Sequence, residues 1–240
     1  MQLTHLLVIL GVLSFCRSDK KCTSPSPYFS CRGTVVIIID GTHHMQSHGQ
    51  IKKEISYIEN VVVPRLGIAK EFKVAFMLSG VGDNYEARTK YACSHKEACS
   101  ELESMQCIAD KKGLQKENLR KILDHMYWNY DHGHAVILFS RSEDEDEISE
   151  AAEYARKYLT RDEITVVALS GNVHPWKRFP AVSVYAVDVT ALDDSNHLDY
   201  CIAERSCILT GQCKSTGVTV LTLIIRFLNF IRKYGLVKTA

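Results

Sequence analysis

Continuous runs of β-branched and aliphatic residues alternate along the chain with segments in which apolar residues recur every three or four positions. The first run is Thr-Val-Val-Ile-Ile-Ile-Asp at 34–40, and it is typical of a central strand that is buried on both faces. Similar runs predict four further strands, at 73–78, 135–139, 164–169 and 182–189.

Helical spacing of apolar residues predicts helices over 51–66 and 119–130 and a short helix over 197–203. Ser142 and Glu145 form a Ser-x-x-Glu capping box, which predicts that another helix begins there and that the acidic run 143–147 forms its first turn rather than a calcium loop. Residues 80–113 show little periodicity and contain three cysteines, so we expect a loop-rich insertion with short helical pieces.

This alternation predicts an α/β fold: a doubly wound, mostly parallel sheet with helices on both faces. Ligands of such sheets bind at the carboxyl ends of the strands, where the strand order reverses. The loops to consider are therefore 40–50, 79–112, 140–147 and 170–180.

The two ends of the chain differ from the middle. An apolar run from Leu6 to Phe15 followed by small and polar residues predicts a secretory signal peptide over 1–18, and a Cys-containing lead spans 19–33. At the other end, a Cys-containing extension over 206–240 includes a strongly apolar stretch at 218–231. One polar stripe crosses that stretch, so we expect a domain-covering amphipathic helix, with membrane association as the alternative.

Composition agrees with an exported globular protein. The 240 residues include 29 basic and 28 acidic side chains, so no electrostatic footprint for nucleic acid is present. Eight cysteines remain after the signal peptide, an even number that predicts four disulfides of undetermined connectivity. Two of the clusters that they form hold three cysteines each, which requires a long-range bridge, and pairing of Cys22 or Cys31 with the last cluster is attractive. The eight are Cys22, Cys31, Cys93, Cys99, Cys107, Cys201, Cys207 and Cys213.

The element order and strand character resemble the von Willebrand factor type A family over about residues 33–205, and we assign the domain to 34–205. The resemblance begins with Asp40-Gly-Thr-His-His after the first strand and continues through the strands at 74–79, 135–140, 164–171 and 184–192. It implies an extracellular adhesion or protein-binding module.

The family carries a metal-ion-dependent adhesion site, which begins with an Asp-x-Ser-x-Ser motif after the first strand. Here Asp40 and Thr42 match the Asp and the first Ser, whereas His44 stands at the second Ser and Arg141 stands at a later Asp. Imidazole suits magnesium poorly and a fixed cation repels it, so we expect a degenerate site that binds no metal and uses no cofactor. We expect Arg141 to pair with Asp40 in place of the ion.

The resemblance therefore implies a secreted, metal-independent, non-enzymatic module that binds an extracellular protein. The candidate surface is the carboxyl edge of the sheet, formed by Asp40, Thr42, His43, His44, Ser47, His48, Asn84, Tyr85, Arg88, Tyr91 and Arg141. One alternative is a metal-binding protein or metal-dependent hydrolase that uses Asp40 and the histidines at 43–48. His134 precedes a strand, so we expect it at the amino end of the sheet, away from such a site.

Overall fold

The computed structural model describes residues 24–27, 29–81, 91–130, 134–192, 198–209 and 214–215. Within them, five parallel strands form one sheet in the order β3-β2-β4-β5-β6. The fold is therefore the doubly wound α/β class that the sequence predicts. The strands are β2 (Gly33–Ile39), β3 (Phe72–Leu78), β4 (Ala135–Ser140), β5 (Glu163–Ala168) and β6 (Ser183–Ala186), and two short strands, β1 (Phe29–Ser30) and β7 (Lys214–Ser215), pair separately.

Five α-helices accompany the sheet in the described part of the chain. They are α1 (His48–Tyr57), α2 (His95–Lys112), α3 (Leu119–Asn129), α4 (Glu145–Tyr158) and α5 (Leu198–Leu209). A π turn (Ile58–Val62) and a 3-10 turn (Val63–Arg65) continue α1, and further 3-10 turns occur at His43–Met45, His174–Arg178 and Val189–Ala191.

Alternate side chains of β2 point into two separate hydrophobic cores. Val35, Ile37 and Ile39 pack in the core that includes α1, α2 and α5, whereas Val36 and Ile38 pack in the core that includes α3 and α4. All five side chains are almost fully buried. The continuous β-branched run is thus explained by a strand covered on both faces.

Two predictions about helices are wrong. The segment predicted to be loop-rich contains α2, whose buried face is built largely from small residues and cysteine, so that its periodicity is weak in sequence. The capping box at Ser142 does not form: Asp144 is the N-cap of α4, and its carboxylate accepts from the backbone N–H groups of Asp146 and Glu147. Glu145, Asp146 and Glu147 of the predicted acidic run nevertheless lie in the first turn of this helix.

A disulfide between Cys31 and Cys207 joins the start of the sheet domain to α5, across a sequence separation of 176 residues. It is one of the long-range pairings expected from the cysteine clusters. Cys99 is also disulfide-bonded. The expectation that all eight cysteines pair is wrong for Cys93 and Cys201, which hold thiols.

Both thiols are half-buried and have close polar neighbours. The Cys93 sulfur lies 3.6 Å from the carbonyl oxygen of Tyr91. Burial raises the pKa of the Cys201 thiol, although a hydrogen bond with Tyr185 opposes that effect. A half-buried thiol with a raised pKa forms less thiolate, the species that reacts in disulfide exchange.

The predicted signal peptide (1–18) and the predicted amphipathic helix (218–231) lie outside the described residues. Within the residues that the structure does describe, no helix has both the length and the apolar character needed to cross a bilayer.

Removing the Cys31–Cys207 bond should destabilise the fold strongly, because it closes a long loop in the unfolded chain. We expect Cys31→Ala/Cys207→Ala to lower the free energy of unfolding by about 2–5 kcal/mol in urea denaturation. Cys93→Ala, which removes a half-exposed thiol, is the control and should change it by under about 1 kcal/mol. Equal losses in both variants would contradict a specific role for the bond.

Candidate functional site

The strand order reverses at β2, which lies between β3 and β4. Asp40 directly follows β2, and Arg141 and Ser142 directly follow β4. The carboxyl ends of β2 and β4 are neighbours at this reversal. The loops that begin at residues 40 and 140 therefore lie side by side, as expected for a ligand site in such a sheet.

The Asp40 carboxylate is buried and accepts hydrogen bonds at both of its oxygens. Oδ1 accepts from the Thr42 backbone N–H (2.9 Å) and from the Thr42 hydroxyl (2.7 Å), and Oδ2 accepts from the Arg141 backbone N–H (2.7 Å). Asp40 and Thr42 are each 3% exposed. Both residues therefore belong to the interior of the edge rather than to a surface that a partner contacts.

Arg141 contacts Asp40, but not through the side-chain ion pair that the sequence predicts. Arg141 approaches Asp40 through its backbone N–H, while its guanidinium Nη1 donates to the carbonyl oxygen of His44 at 2.8 Å. The guanidinium thus anchors the 3-10 turn that carries the histidines. The charge of Asp40 is stabilised by three short hydrogen bonds instead of a side-chain cation.

His44, which the resemblance aligns with the second Ser of the motif, pairs with a carboxylate from α4. Its Nε2 lies 3.0 Å from Glu147 Oε2, and the two side chains are 19% and 11% exposed. The hydrogen bond with Glu147 raises the pKa of His44, even though burial opposes it. Burial alone would raise the pKa of Glu147, but hydrogen bonds from His44, Ser142 and Leu119 outweigh it and lower the pKa.

Glu147 connects three separate segments at this edge. In addition to His44, it accepts from the Ser142 hydroxyl (2.7 Å) after β4 and from the Leu119 backbone N–H (2.7 Å) in the first turn of α3. A carboxylate near a helix N-terminus is also favoured by the helix dipole. No feature of its local sequence distinguishes Glu147 from the other acidic residues at 143–146.

The segment between α2 and α3 covers the ends of β2 and β3. Leu114 N–H donates to the Gly41 carbonyl (2.7 Å), Gln115 N–H donates to the Gly80 carbonyl (3.0 Å), and His43 N–H donates to the Gln115 carbonyl (3.2 Å). A Cβ at Gly80 would lie 2.2 Å from the Gly41 oxygen, and Gly80 has φ of +69°. Only glycine therefore permits the backbones to approach this closely.

A fully buried carboxyl group lies beneath Asp40. Glu54, in α1, is 0% exposed, and its Oε1 accepts from the Asp40 backbone N–H at 3.1 Å. Its Oε2 has no hydrogen-bond partner among the described residues. Burial, reinforced by the negative charge of Asp40, raises the pKa of Glu54 well above its ordinary value.

These residues do not fit the family's divalent ion. The cavity lined by Asp40, Thr42, His44, Ser142 and Glu147 measures about 10 Å³, which is at the lower limit for one water molecule. Both oxygens of Asp40 already accept from protein donors, and the position of the second hydroxyl ligand is filled by an imidazole. Magnesium prefers six oxygen ligands and retains several waters, for which this cavity has no room.

The histidines at 43–48, which the alternative metal site would use, have different partners. His44 binds Glu147, whereas His48 donates from Nδ1 to the Ala109 carbonyl oxygen in α2 at 3.0 Å. His43 is exposed and its ring lies 4.1 Å from that of His44. In the described part of the chain, no three His, Cys, Asp or Glu residues are grouped so that they could hold a metal ion.

The remaining predicted residues divide into three groups. Ser47 caps α1 by accepting from Gln50 N–H, and it is exposed at the edge. Tyr91 lies at the amino end of the sheet, where its hydroxyl is 3.3 Å from His134 Nε2, so its assignment to the carboxyl edge is wrong. Its neighbour Ala92 bridges to Val74 near the start of β3, which fixes that location. Asn84, Tyr85 and Arg88 lie outside the described residues.

Sequence reasoning missed Glu54, Ser79 and Glu147. Ser79 accepts from Gly41 N–H and donates to the Ile39 carbonyl, so that it joins the ends of β2 and β3. Glu54 does carry a signal in the sequence, because it falls on the apolar stripe between Ile51 and Ile58. A carboxylate at such a position indicates a buried polar contact.

No protein-family model matches the sequence, and no curated protein matches it. Among solved structures, proximal thread matrix protein 1 from the mussel byssus is similar in two crystal forms, with identities of 10% and 11% and a TM-score of 0.45 in each. The alignments cover 78% and 79% of this chain, which spans 49% of the mussel protein. Manganese-loaded TRAP protein from Plasmodium vivax is 12% identical with a TM-score of 0.38, over 57% of this chain and 59% of that chain.

Truncating Glu147 should destabilise the fold, because it strands the His44 imidazolium and leaves two further donors without an acceptor. We expect Glu147→Ala to lower the free energy of unfolding by about 3–5 kcal/mol near pH 6. Glu150→Ala, one turn along α4, removes an exposed ion pair with Arg120 and should have a much smaller effect. Chemical denaturation of both variants measures the difference, and similar losses would contradict a special role for Glu147.

The buried Glu54 should make stability depend on pH. Its folded pKa lies above the ordinary 4.5, so its contribution is present below pH 4.5 and is lost as pH rises through the folded pKa. Glu54→Gln keeps an acceptor for Asp40 N–H but does not titrate. We expect its stability relative to the wild type to increase from pH 5 to pH 9 in urea denaturation. A difference that stays constant over this range would show that Glu54 ionises normally.

Proposed function

We propose that this chain is an extracellular protein-binding module of the von Willebrand factor A type in which protein groups replace the metal ion of the adhesion site. The observation that carries the proposal is the saturation of the Asp40 carboxylate by Thr42 and Arg141. The parallel sheet and the position of Asp40 at the reversal of strand order support the resemblance seen in the sequence. The Cys31–Cys207 bond supports an oxidising, extracellular location.

The binding surface we propose is the exposed rim around this closed site. His43 and Ser47 face solvent beside Gln115 and Lys116 of the covering segment. Hydrogen bonds link the backbone at 41–43 with 114–115, and Ser47 caps α1, so the rim presents polar side chains on a rigid support. Exposed loop residues on a rigid scaffold are where protein-binding surfaces commonly occur.

Binding rather than catalysis is favoured by what surrounds the polar groups. His44 is committed to Glu147, and His48 is committed to a backbone carbonyl. His134, which bonds Thr34 and Tyr91, precedes β4 at the amino end of the sheet, as predicted. No observation on the described residues favours the hydrolase alternative or the membrane alternative.

Partner capture should depend on the rim but not on divalent cations. The immobilised secreted protein is incubated with native extracellular fluid, with and without 5 mM EDTA (about the concentration that removes free Mg²⁺ and Ca²⁺ by mass action). We expect the wild type to capture the same protein in both conditions. The variant His43→Ala/Ser47→Ala/Lys116→Ala should no longer capture it. The matched control, Glu101→Ala/Glu103→Ala/Ser104→Ala on α2, should retain it. Loss of capture in EDTA would contradict a metal-independent site.

A further inference from the structure

Large aromatic side chains are exposed at the amino end of the sheet, opposite the proposed rim. Trp128, in the last turn of α3, is 75% exposed, and Tyr158, the last residue of α4, is 41% exposed. Exposed tryptophan and tyrosine at one location are characteristic of binding surfaces, because each offers a flat apolar face and a polar atom.

The rings form a continuous row across the two helices. The Tyr127 ring contacts both exposed rings, with centroids 5.2 Å from Trp128 and 5.8 Å from Tyr158. Tyr154 supports Tyr158 from the buried side at 4.7 Å, and its hydroxyl donates to Asp124 at 2.7 Å. The exposed rings are therefore held in place by their neighbours.

Basic side chains continue this row on the side of α4 away from α3. Lys157 Nζ lies 4.9 Å from the Tyr158 ring centroid. The Arg156 guanidinium donates to the carbonyl oxygen of Arg178, which brings the exposed Lys177 and Arg178 next to α4. Glu153, one turn earlier, is the acidic residue of α4 nearest to this group. The basic–aromatic strip is Trp128, Tyr158, Lys157, Arg156, Lys177 and Arg178.

Helix stabilisation accounts for only part of the strip. Cations in the last turn of α4 interact favourably with its dipole, which explains Arg156 and Lys157. It explains neither the exposed rings nor the second basic pair, which comes from a 3-10 turn in a different segment. Six aromatic and basic residues from three separate segments indicate a binding surface.

We propose that the strip binds a sulfated polysaccharide chain. Sulfate groups accept charge-assisted hydrogen bonds from Arg and Lys, and the apolar faces of sugar rings pack on indole and phenol rings. A linear polymer that carries both kinds of group matches a surface in which rings and cations follow one another in a row. The strip lies at the opposite end of the sheet from the rim, so its function is independent of the proposed protein binding.

The composition of the strip favours a polysaccharide over a membrane. Surface helices that enter a bilayer bury aliphatic side chains together with aromatic ones. Among the described residues, the large hydrophobic side chains that are exposed are Trp128, Tyr158, Val173 and Val182, with no Leu, Ile or Phe. The rings lie beside cations rather than on a separate apolar face.

The test measures heparin binding by the full-length secreted chain, by titration calorimetry at several salt concentrations. We expect Arg156→Gln/Lys157→Gln/Arg178→Gln to weaken binding about tenfold and to make it less dependent on salt. Trp128→Ala should weaken binding about 3- to 5-fold with the salt dependence unchanged, because an uncharged contact is lost. The matched control, Lys52→Gln/Lys111→Gln/Lys112→Gln, removes the same charge from exposed positions elsewhere and should bind within about twofold of the wild type.

Three results would overturn the proposal. Equal weakening by both triple variants would show diffuse attraction by net charge. Binding to vesicles that contain phosphatidylserine, without binding to heparin, would identify a membrane surface instead. Unchanged affinity in Trp128→Ala would remove the aromatic residues from the site. Melting temperatures of all variants within a few degrees of the wild type confirm that they are folded.

Discussion

The carboxyl edge of the sheet depends on how the buried Asp40 carboxylate is stabilised. A charge at this depth requires compensation, because its transfer from water costs several kcal/mol. Thr42 and Arg141 supply three hydrogen bonds, two from backbone N–H groups and one from the Thr42 hydroxyl. These bonds fix the turns after β2 and β4 relative to each other. The Asp40 side chain thus joins the turn after β2 to the turn after β4, because it accepts hydrogen bonds from both turns.

Two further acidic residues, Glu54 and Glu147, lie near Asp40, and their environments limit the repulsion between the carboxyl groups. Glu54 lies within hydrogen-bond reach of the Asp40 backbone, and two ionised carboxylates cannot share so dry a location without a cation. Burial and the charge of Asp40 raise the pKa of Glu54 well above its ordinary value, which favours its neutral form. Glu147 lies farther out, and its hydrogen bond with His44 helps to lower its pKa. Hydrogen bonds to Asp40 and the contact between His44 and Glu147 therefore stabilise the buried acidic groups at this edge.

The strands were predictable because both faces of the sheet are covered. A strand buried on both faces is built from an uninterrupted run of β-branched and aliphatic residues, which is easily recognised in a sequence. α2 was not predictable, since three of its five buried residues are Ala98, Cys99 and Ala109, which give little contrast with its polar side. The site was predictable as a location, because strand ends and chain topology determine where Asp40, His44 and Arg141 meet. Their bonding was not: a long flexible side chain such as Arg141 reaches several acceptors, and only the packed structure selects the His44 carbonyl.

The polar groups at the carboxyl edge already bond to one another, which limits the contacts that they can make with a ligand. A metal ion at this position would offer a partner a direct ligand bond. Here the strongest acceptors and donors are already used within the fold, so a partner gains only the weaker contacts of rim side chains such as His43 and Lys116. Affinity at this edge must then come from a wider contact area and from shape complementarity. Substitutions at single rim residues are accordingly expected to have small effects, whereas changes that loosen Asp40 or Glu147 alter the whole surface at once.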